Sequence, residues 1–156
     1  MSEREDRATV WDAIVHRDAN VDPWAAIGHP AEWRGQASMF PAVIEEHATV
    51  SEFATVQMGV RRRTVVGRNA WIQAGAYVGH DAQIGGGTDV SPNAVVGGGV
   101  TIGDGCKIYS GAVISPNVTI GDGAIIAANS VVTRDVPQCE VWGGAPARYI
   151  RDREPA

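Results

Sequence analysis

Aromatic side chains make up only 6 % of this sequence, which also has just two cysteines and four histidines. So small an aromatic share excludes a core built on large rings and leaves small and β-branched side chains to fill it. Cys106 and Cys139 lack any Cys-x-x-Cys spacing, so neither a disulfide framework nor a cysteine zinc site is expected, and a reducing compartment is. Basic residues are outnumbered 13 to 18, for a net charge of −5, which argues against a broad nucleic-acid surface. Long apolar runs are missing too. The opening stretch MSEREDRATVWDAI mixes charges of both signs and holds nothing fit for a signal peptide or a membrane span. One soluble, cytoplasmic domain is the expectation for 156 residues.

What is present is a beat of six. Stepping from Val66 gives Ile72, Val78, Ile84, Val90, Val96, Ile102, Ile108, Ile114, Ile120, Ile126 and Val132, so all twelve positions are Val or Ile. Four residues after each comes Ala70, Ala76, Ala82, Thr88, Ala94, Val100, Cys106, Ala112, Val118, Ala124, Ser130 or Val136, every one small or β-branched. Gly, Asn and Asp crowd the gaps, as in IGDG at 102–105 and 120–123. A helix needs apolar spacings of three and four, and an ordinary strand alternates every two without a turn at each sixth residue. Six residues instead make a short strand with one large inward aliphatic, a corner, and a second inward position too cramped for a large side chain. Gly and Asn serve the corner because its backbone conformation is closed to branched residues. This is the hexapeptide repeat of a parallel β-helix, whose coils stack to bury one continuous column.

The period leaves the number of faces and the hand of the coil open. The pattern resembles the left-handed β-helix of hexapeptide-repeat acyltransferases, which implies three hexapeptides per turn and an exception to right-handed crossovers. The expected fold is therefore an all-β, left-handed parallel β-helix over 1–156, regular over about 66–137, with a C-terminal tail at 138–156. Val15, Val21 and Ile27, and then Ile44, Val50 and Val56, carry the beat upstream. Two excursions interrupt it: residues 28–43, with Trp33, Met39 and Phe40, and QMGVRRRT at 57–64, which is expected to project from a corner. The tail is expected to form an exit strand, a Gly-Pro turn and a charged end. Roughly six coils at about 4.8 Å each give a prism on the order of 30 Å tall. Such a prism is filled by its own side chains, so its site must lie outside, where two prisms meet. An oligomer follows.

His80 falls at an outward position near a corner, within VGHDAQIGGGTDVSPNAVVGG at 78–98. That stretch resembles the His-Asp/Glu-Cys-x-Ile-Gly segment of two families. One is the acetyltransferases of sialic acid and bacterial amino sugars; the other is the UDP-N-acetylglucosamine acyltransferase of lipid A synthesis. The resemblance implies that His80 is the catalytic base, that Asp81 is its acidic neighbour, and that Gly98 supplies an oxyanion donor. The second histidine of the sugar acetyltransferases is replaced here by Asp89, to which substrate binding or orientation of His80 is open. IGHPAEWRGQ (27–36), VSEFATV (50–56) and RRRTVVGRNAWIQAGAYVGHD (61–81) follow the order of the lipid A family's segments, which places its nucleotide-sugar residues on Glu32 and Arg34. That family's His-Gln pair is replaced by Ser115-Pro116. The ending AANSVVTRDVPQCEVWGGAPARYIRD (127–152) is similar to that of the CoA-dependent acetyltransferases. This implies a pantetheine chain held along the backbone at Ser110 and Ala128, and CoA phosphates met by Arg134 and Arg148.

Histidine suits the base because its unperturbed pKa lies near neutrality, and a neighbouring carboxylate orients the ring. The acceptor attacks directly, so no protein nucleophile is needed, and Cys106 reads as core. His16 and His47 read as exposed polar residues, and His29 as a candidate lining residue. Trp71 and Tyr77 read as outward aromatics for subunit contact or a sugar ring. Arg61-Arg62-Arg63 admits three readings: a solvated corner, a phosphate clamp, or a docking patch for an acidic acyl carrier protein. The expected protein is a homotrimeric acyltransferase that moves an acetyl group from acetyl-CoA to a hydroxyl or amine of a sugar or nucleotide sugar, with no metal. Its rivals are an acyl-carrier-protein donor, a carbonic anhydrase-like zinc protein, for which only one histidine lies in the regular block, and a non-catalytic scaffold.

Overall fold

The computed structural model describes residues 9–10, 12–30 and 40–154. They wind into the left-handed parallel β-helix that the hexapeptides imply, a three-faced prism of short strands. The first face stacks Thr9–Val10, Ala26–His29, Thr55–Gln57, Tyr77–Val78, Val95–Val96, Val113–Ile114 and Val131–Val132. The second stacks Ala13–Val15, Ala42–Ile44, Val65–Val66, Gln83–Ile84, Thr101–Ile102 and Thr119–Ile120. The third stacks Asn20–Val21, Thr49–Val50, Trp71–Ile72, Asp89–Val90, Lys107–Ile108 and Ile125–Ile126, then a terminal hairpin. In the regular block each strand pairs in parallel with the one 18 residues on, as Val78 pairs with Val96 and Ile84 with Ile102. No helix among the described residues is long and apolar enough to cross a membrane.

The beat reads directly as burial. All twelve Val/Ile positions from Val66 to Val132 are buried in one column, and so are the small positions from Ala70 to Val136. Each large aliphatic contributes about 1.5–3 kcal/mol of hydrophobic stabilisation. The polar members of the small set are satisfied: Thr88 Oγ1 donates to Gly103 O at 2.7 Å and accepts from Cys106 N at 3.0 Å. Asn69, Asn93, Asn117 and Asn129 take the left-handed conformation that the corners require.

One expectation needs correction. The excursion over 57–64 does not project. Met58, Val60 and Thr64 are buried, and Gly59 forms an antiparallel bridge with Phe40. The loop folds down because a buried carboxylate gathers its N–H groups, as described below. The tail forms the expected exit strand and Gly-Pro turn, and its charged end is a second strand. Glu140–Gly144 and Ala147–Asp152 form an antiparallel hairpin that ends the third face. Trp142 is buried against the last coil, and Arg153 Nη1 donates to Gly105 O at 2.9 Å and Gly123 O at 2.8 Å, strapping the chain end down.

Candidate active site

His80 follows the strand Tyr77–Val78 at the edge between the first and second faces. Its N–H donates to Gln57 Oε1 at 3.2 Å, from the coil below. Its Nδ1 lies 3.1 Å from Asp81 Oδ2.

Asp81 is the corner residue itself. It has φ +62°, a conformation that aspartate tolerates better than most residues. Asp81 N donates to Thr64 Oγ1 at 2.9 Å. Its Oδ1 accepts three successive N–H groups, from Val60 at 2.8 Å, Arg61 at 2.9 Å and Arg62 at 3.0 Å. Its carbonyl accepts Arg62 Nε at 2.9 Å. Burial pushes the carboxyl upward, but the N–H groups of Arg62 and Arg61, the His80 ring and the N–H of Val60 outweigh it, so Asp81 sits below the ordinary aspartate range. An ionised carboxylate can only accept, so the proton on the neutral imidazole belongs on Nδ1. That leaves the lone pair on Nε2.

Nε2 faces Gly98, one coil above. A Cβ at position 98 would stand 2.5 Å from Nε2 and 2.7 Å from Cε1, so only glycine leaves the ring in place. The flanking Gly97 and Gly99 give their N–H groups to Ile114 O and His80 O. The Gly98 N–H takes no part in that ladder and is available to a ligand, as an oxyanion donor must be.

These groups line a cavity of about 650 Å³ that runs up the edge from Gln57 past Gly98 and Gly99 to Pro116 and Asn117, with Tyr77, Arg61 and Arg62 on its walls. Burial raises the Tyr77 phenol above its ordinary range, which keeps it a neutral hydroxyl. Arg62 is partly a strap, since its Nη2 reaches Thr101 Oγ1 at 3.3 Å. Arg63 offers its carbonyl to Gln83 Nε2 at 2.6 Å, with its side chain exposed. The arginine triplet thus divides into a cavity wall, a strap that also faces the cavity, and a solvated residue.

The structure brings His80, Asp81 and Gly98 together. Arg134 lies on the same edge, since 80, 98, 116 and 134 are stacked at 18-residue intervals, but it stands above the cavity. Ser110 and Ala128 stack on a different edge, between the third and first faces. Arg148, in the hairpin, turns its Nη1 to Ala147 O at 2.8 Å. Asp89 points from the third face and pairs with Lys107 of the next coil, away from His80. Glu32 and Arg34 lie outside the described residues, as do Trp33 and Met39. Among the described residues no three His, Cys, Asp or Glu side chains group as a metal site. Sequence reading missed Gln57, Thr64 and Asn117. The 18-residue period does hold the signal for Pro116 and Asn117, which sit one coil above Gly98 and Gly99.

Residues 63–98 and 99–134 match the family described as bacterial transferase hexapeptide (six repeats). No curated protein matches the sequence. Among solved structures, the UDP-N-acetylglucosamine acyltransferase of Bacteroides fragilis is 21 % identical, covering 96 % of this chain and 74 % of its own at a TM-score of 0.79. That of Francisella novicida is 20 % identical, with 92 % and 68 % covered and a TM-score of 0.77. A mutant of perosamine N-acetyltransferase from Caulobacter crescentus, in complex with CoA and GDP-perosamine, is 26 % identical at a TM-score of 0.54. This chain covers 59 % of that protein, less than two thirds of its length, and 91 % of itself. The six-residue beat and the three-faced prism it winds thus coincide over residues 63–134 with the bacterial transferase hexapeptide repeat, on a fold similar to that of these acyltransferases.

Proposed function

We propose that the protein transfers an acetyl group from acetyl-CoA to a hydroxyl or amine of a sugar or nucleotide sugar, with His80 as general base. One observation carries this reading: Nδ1 is tied to a buried, ionised Asp81 while Nε2 faces a cavity beside an unengaged Gly98 N–H. The acceptor's O–H or N–H loses its proton to Nε2 as its lone pair attacks the thioester carbonyl. The Gly98 N–H meets the oxygen on which charge develops. When the carbon–sulfur bond breaks, the leaving thiolate takes that proton from His80, and the ring returns to its starting form. Asp81 holds the ring and offsets its charge in between. Two free thiols and use of acetyl-CoA suit a cytoplasmic enzyme.

The reading includes a homotrimer. Outward along the first face run Ala26, Thr55, Tyr77, Val95, Val113 and Val131, without a charge, and Val95 and Val113 are over a third exposed. The third face carries Asp89 and Lys107, and the second Gln83. If the first face lines a threefold axis, the His80 edge of one copy meets the Ser110 edge of the next. Ser110 precedes Val113–Ile114 and Ala128 precedes Val131–Val132, so they stand level with Pro116 and Arg134. One groove would then hold Ser110 and Ala128 from one copy and Arg134 from the other, in reach of a single CoA.

A second reading, donation by an acyl carrier protein, is supported by the exposed Arg61 beside the cavity, a cationic rim suited to an acidic partner. The test is to offer acetyl-CoA and acetylated carrier protein separately, with a panel of amino and nucleotide sugars, and to weigh the products. Transfer from acetyl-CoA to a sugar supports the main reading. Turnover with carrier protein alone supports the second, and no acyl transfer from either donor overturns both.

A further inference from the structure

The corner between the third and first faces changes character along the stack. In the upper coils it holds Gly75, Asn93, Gly111 and Asn129, all with positive φ. In the two lower coils the same position holds Phe53, at φ +58°, and Trp24, at φ +67°. Both precede strands in register, Ala26 pairing with Thr55, so the two rings occupy one edge on successive coils. Bulky side chains are disfavoured in this conformation. Core packing does not explain them, because Trp24 is 51 % and Phe53 65 % exposed. Strain together with exposed aromatic surface marks a contact site.

We propose that Phe53, with Trp24 one coil below, is the wall that a neighbouring copy contributes to the acceptor end of the His80 cavity, where the rings stack on a nucleotide sugar. The inference rests on the acyltransferase reading for the class of acceptor, and on the structure for the placement. Phe53 leads into Thr55–Gln57, whose last residue lines the cavity. Rotation about an axis parallel to the stack preserves height. Phe53 of one copy therefore stands level with Gln57 of the next, below His80, while Ser110 and Ala128 stand level with the upper part of the same edge. Charge agrees: Asp22 and Glu52 flank the two rings, and Arg61 and Arg63 stand on the excursion they would face. The groove then has a direction, with the acceptor at the N-terminal end and the thioester at the C-terminal end.

The test compares the full-length wild type with the double variant Trp24→Asn/Phe53→Asn, which installs the residue type that the upper corners use. Molecular mass is read by light scattering, melting temperature by calorimetry, and binding of UDP-N-acetylglucosamine by titration. The expected result is an unchanged trimer, an equal or higher melting temperature, and nucleotide-sugar affinity lowered about tenfold or more. Unchanged affinity overturns the proposal, as does no binding by the wild type or dissociation of the variant into monomers. A wild type that binds the nucleotide sugar but moves no acyl group sinks the catalytic reading and leaves the aromatic wall standing.

Discussion

Asp81 grips two things at once. Its Oδ2 holds His80 Nδ1 at 3.1 Å, and its Oδ1 collects the N–H groups of Val60, Arg61 and Arg62 at 2.8 to 3.0 Å. The carboxylate that orients the His80 ring is also the fastener of the loop that walls the cavity. Removing one function without the other takes different substitutions.

Asp81→Asn keeps an oxygen for the three N–H groups but presents an amide donor to the ring. Nδ1 must then accept, the proton moves to Nε2, and the base proposed at Nε2 is lost. Activity should fall about 100-fold or more while stability changes little. Asp81→Ala leaves the buried Val60 N–H and the partly buried Arg61 and Arg62 N–H groups unpaired and should in addition cost on the order of 2–3 kcal/mol of stability. Chemical denaturation beside acetyl-transfer rates separates the two variants. Equal stability losses would contradict the fastening role.

The pH dependence of stability carries a sign. Asp81 titrates lower in the folded chain than it would unfolded, so the unfolded state binds its proton first as pH drops. Its stabilisation is complete above the ordinary aspartate range, near 4, and is lost as pH falls through the lower folded value. The melting-temperature gap between wild type and Asp81→Ala should narrow below about pH 4. A gap that stays constant to lower pH would show that ionisation of Asp81 does not support the loop.

Gly98→Ala places a methyl 2.5 Å from His80 Nε2, where no ring can remain. The imidazole must swing away from Asp81 or the coil edge must shift. The turnover number should drop at least tenfold with the melting temperature close to wild type, because the position faces the cavity. Wild-type turnover would mean that Nε2 is not the reacting nitrogen.

Arg62→Ala removes the donors to Asp81 O and Thr101 Oγ1. The side chain is largely exposed, so the loss of stability should be modest, about 1 kcal/mol. A looser 57–64 loop should raise the acceptor KM more than it lowers kcat. A pure kcat effect would instead place Arg62 in the chemistry.

Much of the prism was legible because its core is a column with one rule per coil: Val66, Ile72 and their ten successors are all buried, as the spacing requires. The pairing of His80 with Asp81 was legible because the two are adjacent in sequence. The partners of Asp81 were not. Val60, Arg61, Arg62 and Thr64 sit in a stretch where the period fails, and a period says nothing about a loop that a carboxylate folds. Asp89 shows what a linear match leaves out. It stands where the resemblance puts a second histidine, but nine residues is half of the 18-residue turn, which carries the chain off the His80 edge to another face, where Lys107 meets it. Ser110 and Ala128 are likewise set apart from His80 on another edge of the prism, and the trimer proposed above would reunite them.

The most direct measurement is the rate of acetyl transfer from acetyl-CoA by His80→Ala, on whichever sugar acceptor the wild type uses, with the fold checked by its circular dichroism spectrum and mass. The account predicts an intact oligomer and a rate lowered by about two to four orders of magnitude. A correctly folded variant that turns over at the wild-type rate would contradict it.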